Sequence, residues 1–235
     1  MLRSRMEARV ISIGAMAAHP LRGERAGVRV GHGTTTLIVA GAKRILVDPG
    51  LPGPAIAARL EERSGLKPAD ITHVFLTSFN PELRRGIMAF EKAVWWIGEN
   101  EREAIGVAML AKLQEASEEE DEAMKKGLEL DVAILQRCAA APDHIADEKG
   151  DRVDLFPLPG VTPGLCGLLV VQQRYTTLVA GDAVPTVEHL MEGKVLPVVS
   201  DVDRARESFA EAVEIADVII PGRDNVIVNP TKRLF

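Results

Sequence analysis

The sequence predicts an α/β fold built from two successive sets of strands, and three observations carry that expectation. Strand-length apolar runs recur at residues 9–13, 35–40, 44–47, 71–76 and 93–97, and a second series follows at 153–156, 167–171, 176–180 and 217–220. They are rich in Val, Ile, Leu and Thr with little strict alternation, the pattern of sheets covered on both faces by helices or by each other. Helical segments with recognisable ends fall between them. A chain of 235 residues with 46% hydrophobic side chains can bury one sizeable core, so a single domain over 1–235 is expected.

The first covering helix starts near Pro54, places Ile56 and Leu60 four residues apart and can stop at Gly65, because proline suits a first helical turn and glycine a left-handed end. Ser200 and Asp203 read as a capping box before Val202, Ala205, Phe209, Val213 and Ala216, which share one helical face. Residues 99–140 are helical in composition but broken by Gly106 and Gly127, and Ser117 with Glu120 can cap a second helix there. The acidic run Glu118, Glu119, Glu120, Asp121 and Glu122 reads as a solvated first turn at the positive end of that helix. The tail, 229–235, is expected to be loosely ordered. Trp95 and Trp96 stand side by side on an expected strand, so their rings should point to opposite faces.

Charge and cysteine content exclude several function classes. With 28 basic and 34 acidic side chains the formal charge is −6, which disfavours a nucleic-acid partner. Cys138 and Cys166 are too few for a disulfide framework or a thiolate zinc cage, so a reducing, cytoplasmic setting is expected. The apolar run at 10–18 is interrupted by Ser12 and Gly14 and reads as a first strand rather than a secretion signal. No run reaches the ~18 apolar residues of a membrane span, so no membrane partner is expected.

Five short segments point to a family. They are Leu46-Val47-Asp48-Pro49-Gly50, Ile71-Thr72-His73-Val74-Phe75-Leu76-Thr77, Leu158-Pro159-Gly160-Val161-Thr162-Pro163-Gly164, Leu178-Val179-Ala180-Gly181-Asp182 and Ile219-Ile220-Pro221-Gly222. In order and spacing they resemble the framework of the metallo-β-lactamase superfamily over most of the chain, from Arg9 to Val226. The resemblance implies an αββα sandwich, two mixed β-sheets flanked by helices, with a site at one edge holding one or two metal ions. Such an ion lowers the pKa of bound water and makes a nucleophile near neutral pH.

The ligand positions depart from that pattern. Where the family has HxHxDH, this chain reads Ser78-Phe79-Asn80-Pro81-Glu82-Leu83. Val161 stands at the His of the family's PGHTPG loop and Arg223 at the His of the closing segment, while Asp182 alone matches, as the bridging carboxylate. Leu83 and Val161 have no lone pair to give, and a guanidinium repels a cation. No metal cofactor is therefore expected, zinc least of all. An unpaired buried Asp182 would be strongly unfavourable, so Arg223 is expected to pair with it in place of the ion.

The vestigial or ligand-binding site expected from this reading comprises Asp48, Thr77, Ser78, Asn80, Glu82, Leu83, Val161, Asp182 and Arg223. Arg84 and Arg85 could join Arg223 around a small anionic ligand, although arginines paired with nearby acids are the plainer expectation. Of five histidines none forms a metal-spaced pair; His189 follows Asp182 closely and is a weak candidate acid or base. Cys166 reads as a small buried thiol rather than a nucleophile. Gly31-His32-Gly33 followed by Thr34 lacks the lysine and the following helix of a phosphate loop and reads as a turn.

Two functions remain open on the sequence. One is a metal-free pseudoenzyme with a binding or regulatory role. The other is an active hydrolase with Mg²⁺ or Mn²⁺ on Asn80, Glu82 and Asp182 oxygens. A homo-oligomer joined through 99–140 is compatible with both.

Overall fold

Alternation within each strand decides where the layers of core form, and the computed structural model, which describes residues 6–25, 27–115, 122–148 and 150–232, shows three of them. The first sheet is β1 (Glu7–Ser12), β2 (Thr35–Ala40), β3 (Lys43–Val47), β4 (His73–Leu76), β5 (Val94–Ile97) and β6 (Ala139–Ala140), in that spatial order. The second is β7 (His144–Glu148), β8 (Asp151–Pro157), β9 (Cys166–Val171), β10 (Thr176–Gly181), β11 (Val218–Pro221) and β12 (Ile227–Val228), also in sequence order. Both sheets are mixed. In the first, β3, β4, β5 and β6 run parallel after an antiparallel start; in the second, β10 and β11 are the parallel pair.

Successive side chains on a strand leave opposite faces. From the first sheet Ile45, Val47, Phe75 and Trp96 point inward and meet Leu168, Val170, Val179 and Ile220 of the second. The neighbours Leu46, Val74, Leu76, Trp95 and Ile97 point outward. They are covered by α1 (Gly53–Ser64) and by the pair α3 (Glu99–Glu115) and α4 (Glu122–Arg137). On the far side Leu169, Leu178, Ala180 and Ile219 pack under Phe209 and Ala212 of α6 (Val202–Ile215). The result is the αββα sandwich with two mixed sheets. Two short helices, α2 (Pro81–Arg84) and α5 (Val187–Glu192), sit in loops at one edge.

Local signals fare unevenly against this frame. Gly65 closes α1 in the left-handed conformation, with φ 71°. The cap of α6 is Asp201, whose carboxylate accepts from the backbone of Asp203 and Arg204. Ser200, expected to be the cap, instead ties the 158–164 loop to that helix, donating to Gly160 O at 2.8 Å. Two helices form in 99–140 as expected, but Gly106 and Gly127 lie inside α3 and α4 and break neither; the Ser117–Glu120 cap and residues 118–121 of the acidic run lie outside the described residues. On the surface of that pair Val107, Leu110 and Leu130 are exposed. The two tryptophans separate as alternation requires: Trp95 packs under the helices and Trp96 between the sheets, stacked on His73 at 4.0 Å. Among the described residues no helix is long and apolar enough to cross a membrane.

Candidate functional site

Parallel strands place their carboxyl ends together, and loops leaving those ends converge. Asp48 follows β3, Thr77 and Ser78 follow β4, Asp182 follows β10 and Arg223 lies just beyond β11. The two sheets are joined at this edge by backbone bonds from Thr34 N–H to Gly222 O at 2.7 Å and from Cys166 N–H to Thr77 O at 3.0 Å. Close approach is possible because two positions carry no side chain. A Cβ on Gly222 would lie 2.5 Å from Asp182 Oδ1, and one on Gly181, which holds φ at 55°, would meet Thr77 Oγ1 at 2.6 Å.

At the centre is an ionic cluster. Arg223 donates from Nε to Asp182 Oδ1 and from Nη2 to Oδ2, both at 2.8 Å, and its Nη1 bonds Glu82 Oε2. Asp182 and Arg223 are buried, while the Glu82 side chain is 32% exposed. Burial works against the charged guanidinium, yet the charge and hydrogen bonds of Asp182 and then Glu82 hold its pKa well above the ordinary arginine value. The bidentate pairing expected at Asp182 is present, and Glu82 joins it as a second carboxylate. The cluster borders a cavity of about 330 Å³ whose polar wall is Ser78, Asn80, Glu82, Thr162, Asp182 and Arg223; Val161 contributes apolar wall.

Asp48 lies behind this cluster and does not line the cavity. It is 2% exposed, holds φ at 49° and accepts from Thr77 N–H at 2.9 Å and Thr77 Oγ1 at 2.7 Å. Burial pushes its carboxyl up to about 7 against the lowering effect of those bonds, with the Asp182 charge adding to the rise. An acid raised on folding favours the folded state below its unfolded value, about 4. As pH climbs from there, the unfolded chain releases the proton first, so this stabilisation fades and is lost by about pH 7. Asp48→Asn should therefore remove about 4 kcal/mol of pH-dependent stability over that window, read as the difference between the two proteins' urea-unfolding energies at several pH values. Parallel profiles for the two proteins would show that Asp48 does not titrate there.

The remaining sequence candidates go elsewhere. Leu83 is fully buried beneath Gly33. Arg84 is corrected from a candidate anion ligand: it is 7% exposed, pairs with Asp131 of α4 at 2.8 Å and lies over the Phe79 ring. Arg85 is exposed and donates to Gly31 O at 3.3 Å. His189 is fully buried and does not line the cavity; it meets Thr186 Oγ1 at 2.9 Å, beside His19. Burial and then the neighbouring His19 lower its pKa. Burial raises the Cys166 thiol to about 11, which suits a packing role. The 31–34 turn spends its amides on structure, His32 on Ala15 O, Gly33 on Glu82 O and Thr34 on Gly222 O, so it cannot cradle a phosphate.

Sequence reasoning missed two contributions. Met16, Ala17 and Ala18, with Leu196 and Val198, supply most of the apolar wall; they lie in irregular segments whose apolar pattern carries no periodic signal. Glu101, in the first turn of α3, is 0% exposed and accepts from Phe79 N–H at 2.9 Å and Gly164 N–H at 3.1 Å. It clamps the loop of Ser78 and Asn80 to the loop of Val161 and Thr162. An acid early in a helix is an ordinary signal, and nothing in the sequence names its distant partners.

Among the described residues no three His, Cys, Asp or Glu side chains converge as a metal cage. The model of the metallo-beta-lactamase superfamily matches residues 28–77, which include Asp48 and Thr77. No curated protein matches the sequence. Solved structures do match: a Thermotoga maritima protein described as a metallo-beta-lactamase aligns with TM-score 0.67 at 16% identity, over 95% of this chain and 99% of that one. B. thuringiensis AiiA, a point mutant with N-decanoyl-L-homoserine bound at its active site, gives 0.63 at 18%, over 95% and 94%. AidC, a dizinc quorum-quenching lactonase in complex with a product, gives 0.60 at 17%, over 81% and 70%. At these identities the likeness is one of fold.

Proposed function

Taking the chain as a metallo-β-lactamase-fold protein of the hydrolase superfamily, we propose that it is a metal-free relative whose edge cavity binds a small molecule in a binding or regulatory role. The observation that carries this reading is the guanidinium of Arg223 bonded to both oxygens of Asp182 and to Glu82. The fold implies a metal ion, and these residues do not fit one. The carboxylate that would bridge it already has both oxygens on a permanent cation, and two further ligand positions are the aliphatic Leu83 and Val161. Placing a dication there would require removing Arg223 and leaving its charge unpaired, a cost that a site of Asn80, Glu82 and Asp182 oxygens is too poor in donors to meet.

The second reading, a hydrolase using Mg²⁺ or Mn²⁺, rests on one observation: Asn80, Glu82 and Asp182 all border the same cavity. Asn80 weakens it, because its Oδ1 accepts from Glu82 N–H at 2.9 Å and caps α2. The two readings separate on metal analysis of the purified protein together with a hydrolysis screen in the presence and absence of chelator. The expected result is far less than one metal per chain and no chelator-sensitive turnover. One equivalent of metal, lost together with activity, would replace the first reading with the second.

A further inference from the structure

Two segments supply most of the apolar wall of the edge cavity, residues 16–18 from one side and Leu196 with Val198 from the other. Both continue around an adjoining space of about 490 Å³, completed by Pro20, Pro197 and Glu24. Beside this wall the two segments are joined by a buried polar clasp. His19, next in the chain to Ala18, meets Thr186 Oγ1 at 3.0 Å and Glu188 Oε2 at 3.2 Å through its Nε2. The same Thr186 hydroxyl meets His189 Nδ1 at 2.9 Å, and the two rings stand 5.3 Å apart. Both imidazoles are buried.

Hydrogen bonding assigns the protons in this clasp. Burial works against the charge of Glu188, yet the bond from Arg22 helps hold its carboxyl down to about 2, so it is ionised and accepts. His19 Nε2 must therefore carry a hydrogen, because a lone pair there would face a carboxylate. Thr186 accepts from that N–H and, as the cap of α5, from the His189 backbone N–H. With both lone pairs used, the hydroxyl donates its one hydrogen to His189 Nδ1, which leaves the ring proton of His189 on Nε2. His19 Nδ1 and His189 Nε2 are then buried without a hydrogen-bond partner among the described residues.

A proton added to His189 has no place in this arrangement. It would enter at Nδ1, opposite a hydroxyl whose hydrogen points the same way, and would put a buried cation beside the His19 ring. Burial and then His19 lower the His189 pKa, while Glu188, Glu192 and Asp182 act the other way without reversing it. The remaining charged neighbours are Arg22, which bonds Glu188, and Glu24, which accepts His19 N–H at 3.1 Å and pairs with Arg29; Arg25 follows on the surface. Asp224 accepts Val187 N–H at 3.2 Å and, with Arg29 and Arg223, borders a small cavity of about 280 Å³ that His19 and Thr186 also line. A base depressed on folding favours the native arrangement above its free value, about 6.5 for an imidazole, and that stabilisation is lost as pH falls through the lower native value.

We propose that the His19–Thr186–His189 clasp is an acid-opened gate: it holds the 16–20 wall of the cavity to the 186–198 wall while His189 is neutral, and releases it when His189 gains a proton. As control over what the cavity admits, this rests on the binding reading above, but the gate itself is a movement of the wall and is tested without ligand.

The test is NMR of the intact protein with labelled methionine methyl groups, followed together with the histidine ring signals from about pH 8 to about pH 5, which brackets the imidazole range. Met16→Leu and His189→Asn assign the two signals of interest. The Met16 methyl signal should shift with the midpoint of His189, below the ordinary imidazole value. His189→Asn keeps an acceptor for the Thr186 hydroxyl and cannot titrate, so the Met16 response should be lost. His19→Gln keeps a donor toward Thr186 and Glu188 but removes the neighbouring imidazole; His189 and Met16 should then titrate at higher pH and still together, a result that stands without the first variant should it fail to fold. His144→Asn, at an exposed ring on β7, should change neither signal. A Met16 signal that ignores pH, a response that survives His189→Asn, or midpoints that diverge in His19→Gln would each overturn the gate. Metal content measured on the same sample keeps the two failures apart: a pH-inert wall in metal-free protein sinks the gate alone, whereas stoichiometric metal sinks the reading beneath it.

Discussion

Arg223→Met is expected to destabilise the protein by about 3–5 kcal/mol, because it leaves Asp182 buried and Glu82 half-buried without the cation they share. Methionine fills similar space, so lost packing is a minor part of the effect. The charge account makes a second demand. Adding Asp182→Leu and Glu82→Leu to Arg223→Met should recover most of the loss, since replacing a whole buried ion cluster with apolar groups is often neutral. Arg223→Lys should fall between, keeping the charge but not the planar fork that reaches both oxygens of Asp182. Urea-unfolding midpoints with constant slopes would measure all three. If the single and triple variants were equally unstable, Arg223 would matter for shape rather than charge.

Glu101→Ala is expected to cost about 3–4 kcal/mol, although Glu101 touches neither the cavity nor the ionic cluster. Its carboxylate accepts two buried amides, Phe79 N–H and Gly164 N–H, and removing it strands both. Each stranded donor costs roughly 1–3 kcal/mol. No neighbour can take over, because Gly164 is already in close contact with the α3 backbone, where a Cβ would lie 2.0 Å from Glu101 N. The loss should be local as well as global. Hydrogen exchange should quicken at residues 77–80 and 161–164 before it changes in β9 and β10. Uniform acceleration through both sheets would show that Glu101 supports the whole fold and not these two loops.

The fold was legible because burial is periodic. Val74, Phe75 and Leu76, or Leu168, Leu169 and Val170, are uniformly apolar in sequence because both faces of each sheet are covered. What escaped were the elements whose stability comes from neighbours: the two-residue strands β6 and β12, the hairpin strand β7 with its polar residues, and the short helices α2 and α5. The cap at Asp201 rather than Ser200 has the same cause. Ser200 is held one residue ahead of the cap position by its bond to Gly160 O, a partner 40 residues away, and the helix begins after Asp201.

The sequence by itself determined that this is an α/β chain with two sets of strands, and its resemblance to the metallo-β-lactamase superfamily implied the sandwich and put Leu83, Val161 and Arg223 where that family has metal ligands. The last point turns on residue type, because an aliphatic side chain lacks a lone pair in any conformation. Arg223 as the stand-in for the ion was also legible in the sequence, and only the tertiary structure decided what surrounds it. It set Glu82 beside Asp182 on one guanidinium, turned Arg84 away to Asp131, kept His189 out of the cavity and brought Glu101 under both loops. Charge balance and clamping are sums over groups distant in the chain, and their value exists only once the strands have brought those groups within a few ångströms.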